Sequence, residues 1–276
     1  MESELPMSAT GRFLFHDLMT TDLPKSAEFL AGLLGLEVAV VEGEVAYCVL
    51  LRPGTNQAIV GLVPIMANEE TRSHWVGYLG VPDVVAAVAH TREAGGTVHA
   101  QPGAAEQDEG EDAPDVPTTG HGPALAIVTD PAGAVLGLVP TPEAEPDAGG
   151  DGGDVAPVGE IAWVELLTVA REAVGAFFST LVGWELGAAH TRFGEGEAHA
   201  LFHAGRVFGL VRDLPAGSPI PPHWMYYFRV SNLDEALAAT RRLGGFYYED
   251  PGVVDGGRRA IVLDPTGAPI GLWQLG

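Results

Sequence analysis

The sequence predicts an α+β fold in which four βαβββ modules form two pairs. Three short patterns each occur twice in the same order, and their two copies lie 148, 149 and 134 residues apart. They are a glycine-led strand at 11–18 and 159–166, a His-Trp pair at 74–75 and 223–224, and the tetrapeptide Asp-Pro-x-Gly at 130–133 and 264–267. Patterns that repeat in the same order along one chain indicate a duplicated unit.

The Asp-Pro-x-Gly pattern predicts a tight type I turn, with Asp at the first corner, Pro at the second and Gly at the fourth. A turn of this kind joins two adjacent strands. It therefore predicts one hairpin from Ala126–Thr129 and Val135–Val139, and a second from Ile261–Leu263 and Pro269–Trp273.

The first module of each half begins with the strand at 11–18 or 159–166 and continues into a helix. Leu23, Ala27, Leu30 and Leu34 recur at helical spacing; Asp22 can cap the helix start and Gly35 can end it. The twin helix is predicted at Arg171–Val182. Three β-rich runs follow each helix: Leu36–Val41, Ala46–Leu51 and Ala58–Pro64, then Trp184–His190, Ala198–His203 and Val207–Val211.

The second module of each half repeats this order, with strands at Val76–Val81 and Met225–Val230 and helices that end at paired glycines. Short strands at Thr97–Ala100 and Phe246–Glu249 precede the two hairpins. The predicted modules are 11–66, 74–140, 159–213 and 223–275. They give an N-terminal domain at 1–142, an acidic linker at 143–158 and a C-terminal domain at 159–276.

Composition narrows the class of protein. The formal net charge is −23, and eleven of the 37 acidic residues lie in 102–122 and 141–158, which are typical of solvated loops. This acidity argues against a nucleic-acid partner. No apolar run is long enough to span a membrane, no export signal is visible, and Cys48 has no cysteine to pair with. We expect a cytoplasmic protein, either monomer or homodimer.

The ordered fourfold βαβββ recurrence with its Asp-Pro-x-Gly hairpins resembles the glyoxalase/bleomycin-resistance family, which has the vicinal oxygen chelate fold. The resemblance covers nearly all of 11–275 except the two acidic segments. It implies curled mixed sheets that form cup-shaped cavities with the helices outside, and a small-molecule ligand. The Thr-Thr-Asp at 20–22, the His-Trp pairs and the final Gly-Leu-Trp-Gln are similar to tandem actinobacterial members, some of which accompany antibiotic resistance or anthracycline-type biosynthesis.

The resemblance also implies where a metal would bind, because metal-using members carry a His, Glu or Gln ligand on each of four strands. Those positions fall on Phe15, Gly61, Val76 and Gly137 in the first half, and on Trp163, Gly209, Met225 and Gly271 in the second. None of these side chains is a family-type ligand, so we expect no metal and no cofactor. A cluster of His190, His199 and His203 could still hold zinc, although exposed edge-strand histidines are the more usual interpretation.

Side-chain alternation predicts what lines each cup. The first cup receives Phe13, Phe15, Asp17, Val76, Tyr78, Gly137 and Val139; the second receives Ile161, Trp163, Glu165, Met225, Tyr227, Arg229, Gly271 and Trp273. Aromatic side chains stack on planar ligands, and glycines are expected to leave floor space. The alternative is that the aromatic residues only plug an unused cavity. The second cup, richer in Trp and Tyr, is the better binding candidate.

Two acids and two histidines are the candidate catalytic residues. If the first strands of paired modules run antiparallel, Asp17 is expected to meet His74 and Glu165 to meet His223, as general acid/base pairs. If the strands run parallel, the groups lie about 13 Å apart. A buried acid satisfied by another neighbour is the alternative. Arg258-Arg259 could bind an anion or form a solvated strand start.

Two functions follow from these observations. The first is metal-independent binding of a bulky, planar, mostly apolar natural product or antibiotic. The second is a cofactor-free isomerase, cyclase or lyase/hydratase that uses Glu165 or Asp17 as acid/base. The sequence leaves open which cup is used, and whether each cup forms within one half or across both.

Overall fold

The structure is a computed structural model that describes residues 9–41, 47–68, 71–102, 124–142, 156–190, 198–247, 252–254 and 257–276. Within these residues the chain forms two eight-stranded mixed sheets and four helices. The first sheet is built from strands of the first half and the second sheet from strands of the second half.

The first half contains eight strands and two helices. They are β1 (Phe13–Thr20), α1 (Leu23–Leu34), β2 (Glu37–Val41), β3 (Tyr47–Leu51), β4 (Ala58–Pro64), β5 (His74–Val81), α2 (Val84–Glu93), β6 (Thr97–Ala100), β7 (Ala126–Thr129) and β8 (Val135–Pro140). The strand order across the sheet is β2-β3-β4-β1-β5-β8-β7-β6.

The second half repeats this arrangement. Its elements are β9 (Ile161–Thr168), α3 (Arg171–Val182), β10 (Glu185–His190), β11 (Ala198–His203), β12 (Arg206–Asp213), β13 (His223–Arg229), α4 (Leu233–Arg242), β14 (Gly252–Val254), β15 (Gly257–Leu263) and β16 (Pro269–Leu275). The order β10-β11-β12-β9-β13-β16-β15-β14 is the same as in the first sheet.

The α+β class and the order of elements confirm the prediction of tandem βαβββ modules. One predicted strand differs: Phe246 forms only an isolated bridge with Leu263, and the edge strand of the sheet is β14. The remainder of the predicted strand, 248–249, lies outside the described residues. The antiparallel pairing of β1 with β5, and of β9 with β13, joins two modules into one sheet inside each half.

The predicted helix and turn signals act through specific hydrogen bonds. Asp22 accepts a hydrogen bond from the backbone N–H of Lys25 and so caps α1, and Gly35 ends that helix at a φ of 70°. In the second hairpin turn, Asp264 Oδ1 accepts hydrogen bonds from the backbone N–H groups of Thr266 and Ala268 at 2.8 Å. The Asp of the Asp-Pro-x-Gly pattern therefore holds the turn closed.

The two halves meet on the face of each sheet that carries the helices. Their common core joins buried residues of both, and hydrogen bonds between the halves include Trp184 Nε1 to Gly11 O at 2.8 Å, Trp75 Nε1 to Pro269 O at 2.8 Å, and Ser26 Oγ to Asp264 Oδ2 at 2.6 Å. Each cup thus lies on the opposite side of its sheet. None of the helices in the described part of the chain is long and apolar enough to cross a membrane.

Candidate functional site

The register of the first sheet brings the predicted cup residues onto one face. Asp17 lies opposite Gly61 on β4 and Val76 on β5, while Tyr78 lies opposite Phe15 on β1 and Gly137 on β8. Directly paired residues of neighbouring strands point to the same side of a sheet. The predicted first-cup residues Phe15, Asp17, Val76, Tyr78 and Gly137 therefore share this face.

The second sheet has the same arrangement around Glu165 and Tyr227. The predicted second-cup residues share its cup face: Trp163, Glu165, Met225, Tyr227, Gly271 and Trp273. One inferred ligand position needs correction, because Leu210 lies opposite Glu165 whereas Gly209 pairs with Val164 on the other face. The second half carries one extra residue before this strand, and a one-residue slip moves a side chain to the other side of a sheet.

A β-bulge near the start of β1 and β9 corrects two other assignments. The register shifts between Phe13 and Phe15, so the ring of Phe13 packs in the core between the halves, 5.1 Å from the ring of Trp224. Ile161 packs against the same core after an equivalent shift. Neither residue lines a cup. Simple alternation fails here because the bulge adds one residue to the strand.

The expectation that glycine leaves open floor is wrong at both hairpin glycines. A Cβ added to Gly137 would lie 2.2 Å from Cδ1 of Tyr78, and one added to Gly271 would lie 2.4 Å from Cδ1 of Tyr227. In each cup the tyrosine ring of the neighbouring strand lies directly on the glycine. Glycine is present because the ring needs the space.

The acid–histidine pairs do not form, although the strands run antiparallel. The register places His74 opposite Met19 and His223 opposite Leu167, two residues beyond each acid. Nδ1 of each histidine instead lies within hydrogen-bonding distance of a nearby backbone carbonyl, at 2.8 and 2.9 Å respectively. A general acid/base built from either pair is therefore not supported.

Each acid meets a tyrosine instead. The hydroxyl of Tyr78 donates to Asp17 Oδ2 at 2.7 Å, and that of Tyr227 donates to Glu165 Oε2 at 3.3 Å. Burial raises the pKa of Tyr227, and the carboxylate of Glu165 raises it further. Tyr227 is therefore a protonated hydrogen-bond donor at neutral pH.

Two arginines also bind Glu165. Arg212 Nε donates to Oε2 at 3.1 Å, and Arg259 Nη1 donates to Oε1. The side chain of Glu165 is 3% exposed, that of Arg212 is 12% exposed and that of Arg259 is 19% exposed. The guanidinium group of Arg259 also lies 5.6 Å from the centre of the Tyr227 ring. A buried carboxylate is thus held between two cations in the second cup.

The interpretation of Arg258-Arg259 as a solvated strand start holds for only one of them. Arg258 is exposed and forms a salt bridge with Asp234 on α4 at 2.8 Å. Arg259 faces the opposite side of β15, where it lies opposite Trp273. The hairpin turn fixes this register, so counting back from Asp264 could have identified Arg259 as a cup residue.

Two tryptophans form the aromatic wall of the second cup. The rings of Trp163 and Trp273 contact edge to face, with centroids 5.6 Å apart, and both side chains remain partly exposed. A small apolar cluster lies beside them, made of Ala198, Ala200, Leu210 and Phe202. Nε1 of Trp273 is buried and meets no acceptor among the residues the structure describes.

The first cup is filled by apolar side chains. Its buried cluster consists of Met19, Val63, Val76, Tyr78, Ile127 and Val139, and Leu14, Phe15 and Leu125 pack against it. By register, Val63 is the counterpart of Arg212 and Val139 of Trp273. The duplicated cups have therefore diverged, one toward a packed core and the other toward a polar and aromatic lining.

The residues at the family's four ligand positions do not suit a metal ion. In the second cup Trp163, Leu210, Met225 and Gly271 converge without a nitrogen or carboxylate donor, and the first cup is similar. In the described ranges no group of three His, Cys, Asp or Glu side chains is placed to hold a metal. His199 Nδ1 contacts Gly187 O at 3.0 Å, His203 lies against Gly11, and the side chain of His190 is not among those described.

Sequence comparisons identify related proteins. Residues 12–138 match the family described as Glyoxalase/Bleomycin resistance protein/Dioxygenase superfamily. The anthracycline biosynthesis protein DnrV of Streptomyces peucetius is 28% identical, with 97% of this chain and 94% of DnrV covered. The protein CFP32 of Mycobacterium tuberculosis is 29% identical, with 91% of this chain and 90% of CFP32 covered.

Solved structures share the fold. The Mn(II)-bound glyoxalase from Novosphingobium aromaticivorans superimposes with a TM-score of 0.60 at 16% identity, covering 97% of this chain and 83% of the glyoxalase. The 2,3-dioxygenase LapB from Pseudomonas sp. KL28 superimposes with a TM-score of 0.59 at 15% identity, covering 98% of this chain and 94% of LapB. At these identities the likeness concerns the fold alone.

Proposed function

The chain is a member of the glyoxalase/bleomycin resistance/dioxygenase superfamily, and we propose that it binds a bulky, planar, mostly apolar small molecule in its second cup without a metal ion. The observation that carries this proposal is the Trp163–Trp273 wall, which is partly exposed on the sheet face opposite the helices. Flat aromatic surface of this kind stacks on a planar ligand, at about 0.5–1.5 kcal/mol per ring pair beyond burial.

The contrast between the cups favours the second one. In the first, Val63 and Val139 are buried against Tyr78 and Ile127, so ligand entry would require the cluster to open. In the second, the counterparts are Arg212 and Trp273, which are larger, polar at one end and partly exposed. A side chain that is amphipathic and partly exposed suits a binding surface better than a structural core.

The side chains at the family's ligand positions support metal independence. The fold relatives include a protein described as a Mn(II)-bound glyoxalase, and a metal of that kind needs nitrogen or oxygen ligands. Here the ring of Tyr227 lies on Gly271, and Leu210 and Met225 complete the converging set. Stacking and shape therefore replace coordination as the means of holding a ligand.

The proposed class of ligand is a natural product or antibiotic. DnrV and DauV each align with 97% of this chain, and both are named as anthracycline biosynthesis proteins. A planar polycyclic compound would suit the tryptophan wall. A protein that holds such a compound could protect it or deliver it, in resistance or in biosynthesis.

The buried Tyr227–Glu165 pair supports one alternative, a cofactor-free enzyme of the isomerase, cyclase or lyase/hydratase type. A carboxylate and a phenol that are both buried can move a proton. Binding is favoured because both oxygens of Glu165 already accept hydrogen bonds from arginine. That engagement suits a structural or recognition role better than proton abstraction.

A thermal-shift and tryptophan-fluorescence screen against planar aromatic natural products, run with and without EDTA, tests the proposal. We expect a bound compound to raise Tm and quench fluorescence equally in both conditions, and to be recovered with the same mass and the same NMR spectrum. Trp273→Leu should weaken binding at least tenfold, and Phe15→Leu in the first cup less than twofold. A recovered compound with a changed mass or a changed NMR spectrum would favour the enzyme, and a larger effect of Phe15→Leu would transfer the site to the first cup.

A further inference from the structure

The second cup places two cations where its twin uses apolar side chains. Arg212 takes the place of Val63, which is 1% exposed. Ile261 and Ile127 are counterparts, because each pairs with the glycine of its hairpin. The residue two positions earlier is Arg259 in the second half and Leu125 in the first. The same fold therefore forms in the first half with an apolar side chain at each of these two positions. Two guanidinium groups that are nearly buried carry a desolvation cost, so their presence calls for a reason.

On the basis of the proposed function, we infer that the ligand of the second cup carries an anionic oxygen group, a carboxylate or an ionised phenol or enol, which binds Arg212 and Arg259 beside Glu165. The three side chains contribute two positive charges and one negative charge. An anionic ligand oxygen would thus meet two guanidinium groups that already bind one carboxylate.

The geometry of the three groups suits a second oxyanion. Arg212 reaches Glu165 through Nε at Oε2, while Arg259 reaches the other oxygen through Nη1. Guanidinium groups are planar, remain charged, and present several N–H donors in a fork that matches carboxylate geometry. A ligand carboxylate can therefore share the two guanidinium groups with Glu165. Charge-assisted hydrogen bonds of this kind are about twice as strong as neutral ones.

The aromatic wall and the cations lie side by side, so one molecule can use both. Arg259 lies directly opposite Trp273 in the β15–β16 hairpin, and Trp273 contacts Trp163. A flat body against the tryptophans would bring an acidic substituent to Arg259. A ligand oxygen would also provide an acceptor for Trp273 Nε1, which has none among the described residues.

The net charge of −23 opposes anion binding at long range. Exposed charges more than about 8 Å away are largely screened at physiological ionic strength. The contacts of Arg212 and Arg259 act at hydrogen-bonding distance in a site that is mostly withdrawn from water, where screening is weak. We therefore expect Arg212 and Arg259, and not the overall charge, to determine whether the second cup prefers an anionic ligand.

The test compares two probes of the same shape, anthraquinone-2-carboxylate and anthraquinone-2-carboxamide, by fluorescence titration of the full chain. We expect the acid to bind at least tenfold more tightly than the amide. Arg259→Gln should reduce this ratio below threefold and leave the amide affinity within threefold. Arg258→Gln, the adjacent exposed arginine paired with Asp234, is the matched control and should leave the ratio unchanged.

The outcomes separate this inference from the function on which it rests. Equal binding of both probes by the wild-type chain overturns the acid preference and leaves planar binding intact. Binding of neither probe overturns both. A ratio that survives Arg259→Gln also overturns the inference. If that variant does not fold, Arg259→Lys and Arg212→Gln replace it: the ratio must fall in both, because each removes one guanidinium fork.

Discussion

The ring of Tyr227 lies directly on Gly271, so that a Cβ at Gly271 would be 2.4 Å from the ring. Gly271 is one of the four positions at which metal-using relatives are expected to carry a ligand. The space that a metal ligand would need is filled by a tyrosine, whose hydroxyl donates to Glu165. The same relation joins Tyr78 to Gly137 and Asp17 in the first cup.

Adding one methyl group at this glycine should displace the ring. We expect Gly271→Ala to lower the free energy of unfolding by about 1–3 kcal/mol, the usual cost of overpacking. The atoms in the way are at the base of the tyrosine ring and in the backbone, so they cannot move aside easily. Urea unfolding measures the change. Gly175→Ala, inside α3 and facing a flexible leucine methyl, is the control, and equal stability of both variants would refute the packing argument.

Removing the charge of Glu165 should destabilise more than removing that of Asp17. Glu165→Gln leaves two guanidinium groups without their carboxylate, which we expect to cost about 3 kcal/mol. Asp17→Asn retains an amide oxygen that can accept from the neutral hydroxyl of Tyr78, and should cost about 1 kcal/mol. Chemical denaturation of both variants gives the comparison, and Glu165→Gln combined with Arg259→Gln should recover part of the loss. Similar losses in the two single variants would contradict the ion-pair network.

A hydrogen bond between the halves makes Ser26 important for stability. Its hydroxyl is fully buried and donates to Asp264 Oδ2 at 2.6 Å across the core. Ser26→Ala leaves that buried carboxylate oxygen without its donor, at a cost of about 2 kcal/mol. Ser179→Ala, on the exposed side of α3, should change stability by less than about 0.5 kcal/mol. The thermal midpoints of the two variants provide the measurement, and matching midpoints would argue against the role of Ser26.

Stability should fall in acid because of His16. Burial between the halves lowers the pKa of His16 to about 3 from an ordinary 6.5, so the unfolded chain binds a proton in this range and the folded chain does not. The stability that depends on neutral His16 is complete above pH 6.5 and is lost as the pH falls toward 3, by up to about 1.4 kcal/mol per pH unit.

The measurement is the unfolding free energy of the wild-type chain and His16→Leu between pH 7 and pH 4. Because the variant lacks the titrating group, the difference between the two curves should shift in favour of the variant as the pH falls. His99→Gln, an exposed histidine on β6, should follow the wild-type curve. Parallel curves for wild type and His16→Leu would refute the assignment.

The duplicated fold could be predicted from the sequence because its signals are local. Asp22, Gly35 and the Asp-Pro-x-Gly turns act on their own neighbours, and each forms the contact that its residue type favours. Simple side-chain alternation agrees with the observed register from Phe15 onward and fails at Phe13, where a bulge adds a residue. Bulges depend on tertiary packing and leave no clear pattern in a single sequence.

The candidate site was predicted less completely because register is a nonlocal property. His74 was expected opposite Asp17 and lies opposite Met19, a displacement of two residues. Arg212 was missed because the neighbouring Gly209 was assigned to the wrong face, and that error of one residue reversed every side chain on β12. Arg259, by contrast, could have been placed by counting back from the hairpin turn.

Titration of the wild-type chain with anthraquinone-2-carboxylate in the presence and absence of EDTA tests the central claim most directly. We predict saturable quenching of tryptophan fluorescence with a Kd that changes less than twofold on chelation, because stacking and contacts with arginine need no metal ion. Binding that EDTA abolishes and Mn²⁺ restores would contradict this account, since it would require metal donors at positions where the chain has Trp163, Leu210, Met225 and Gly271.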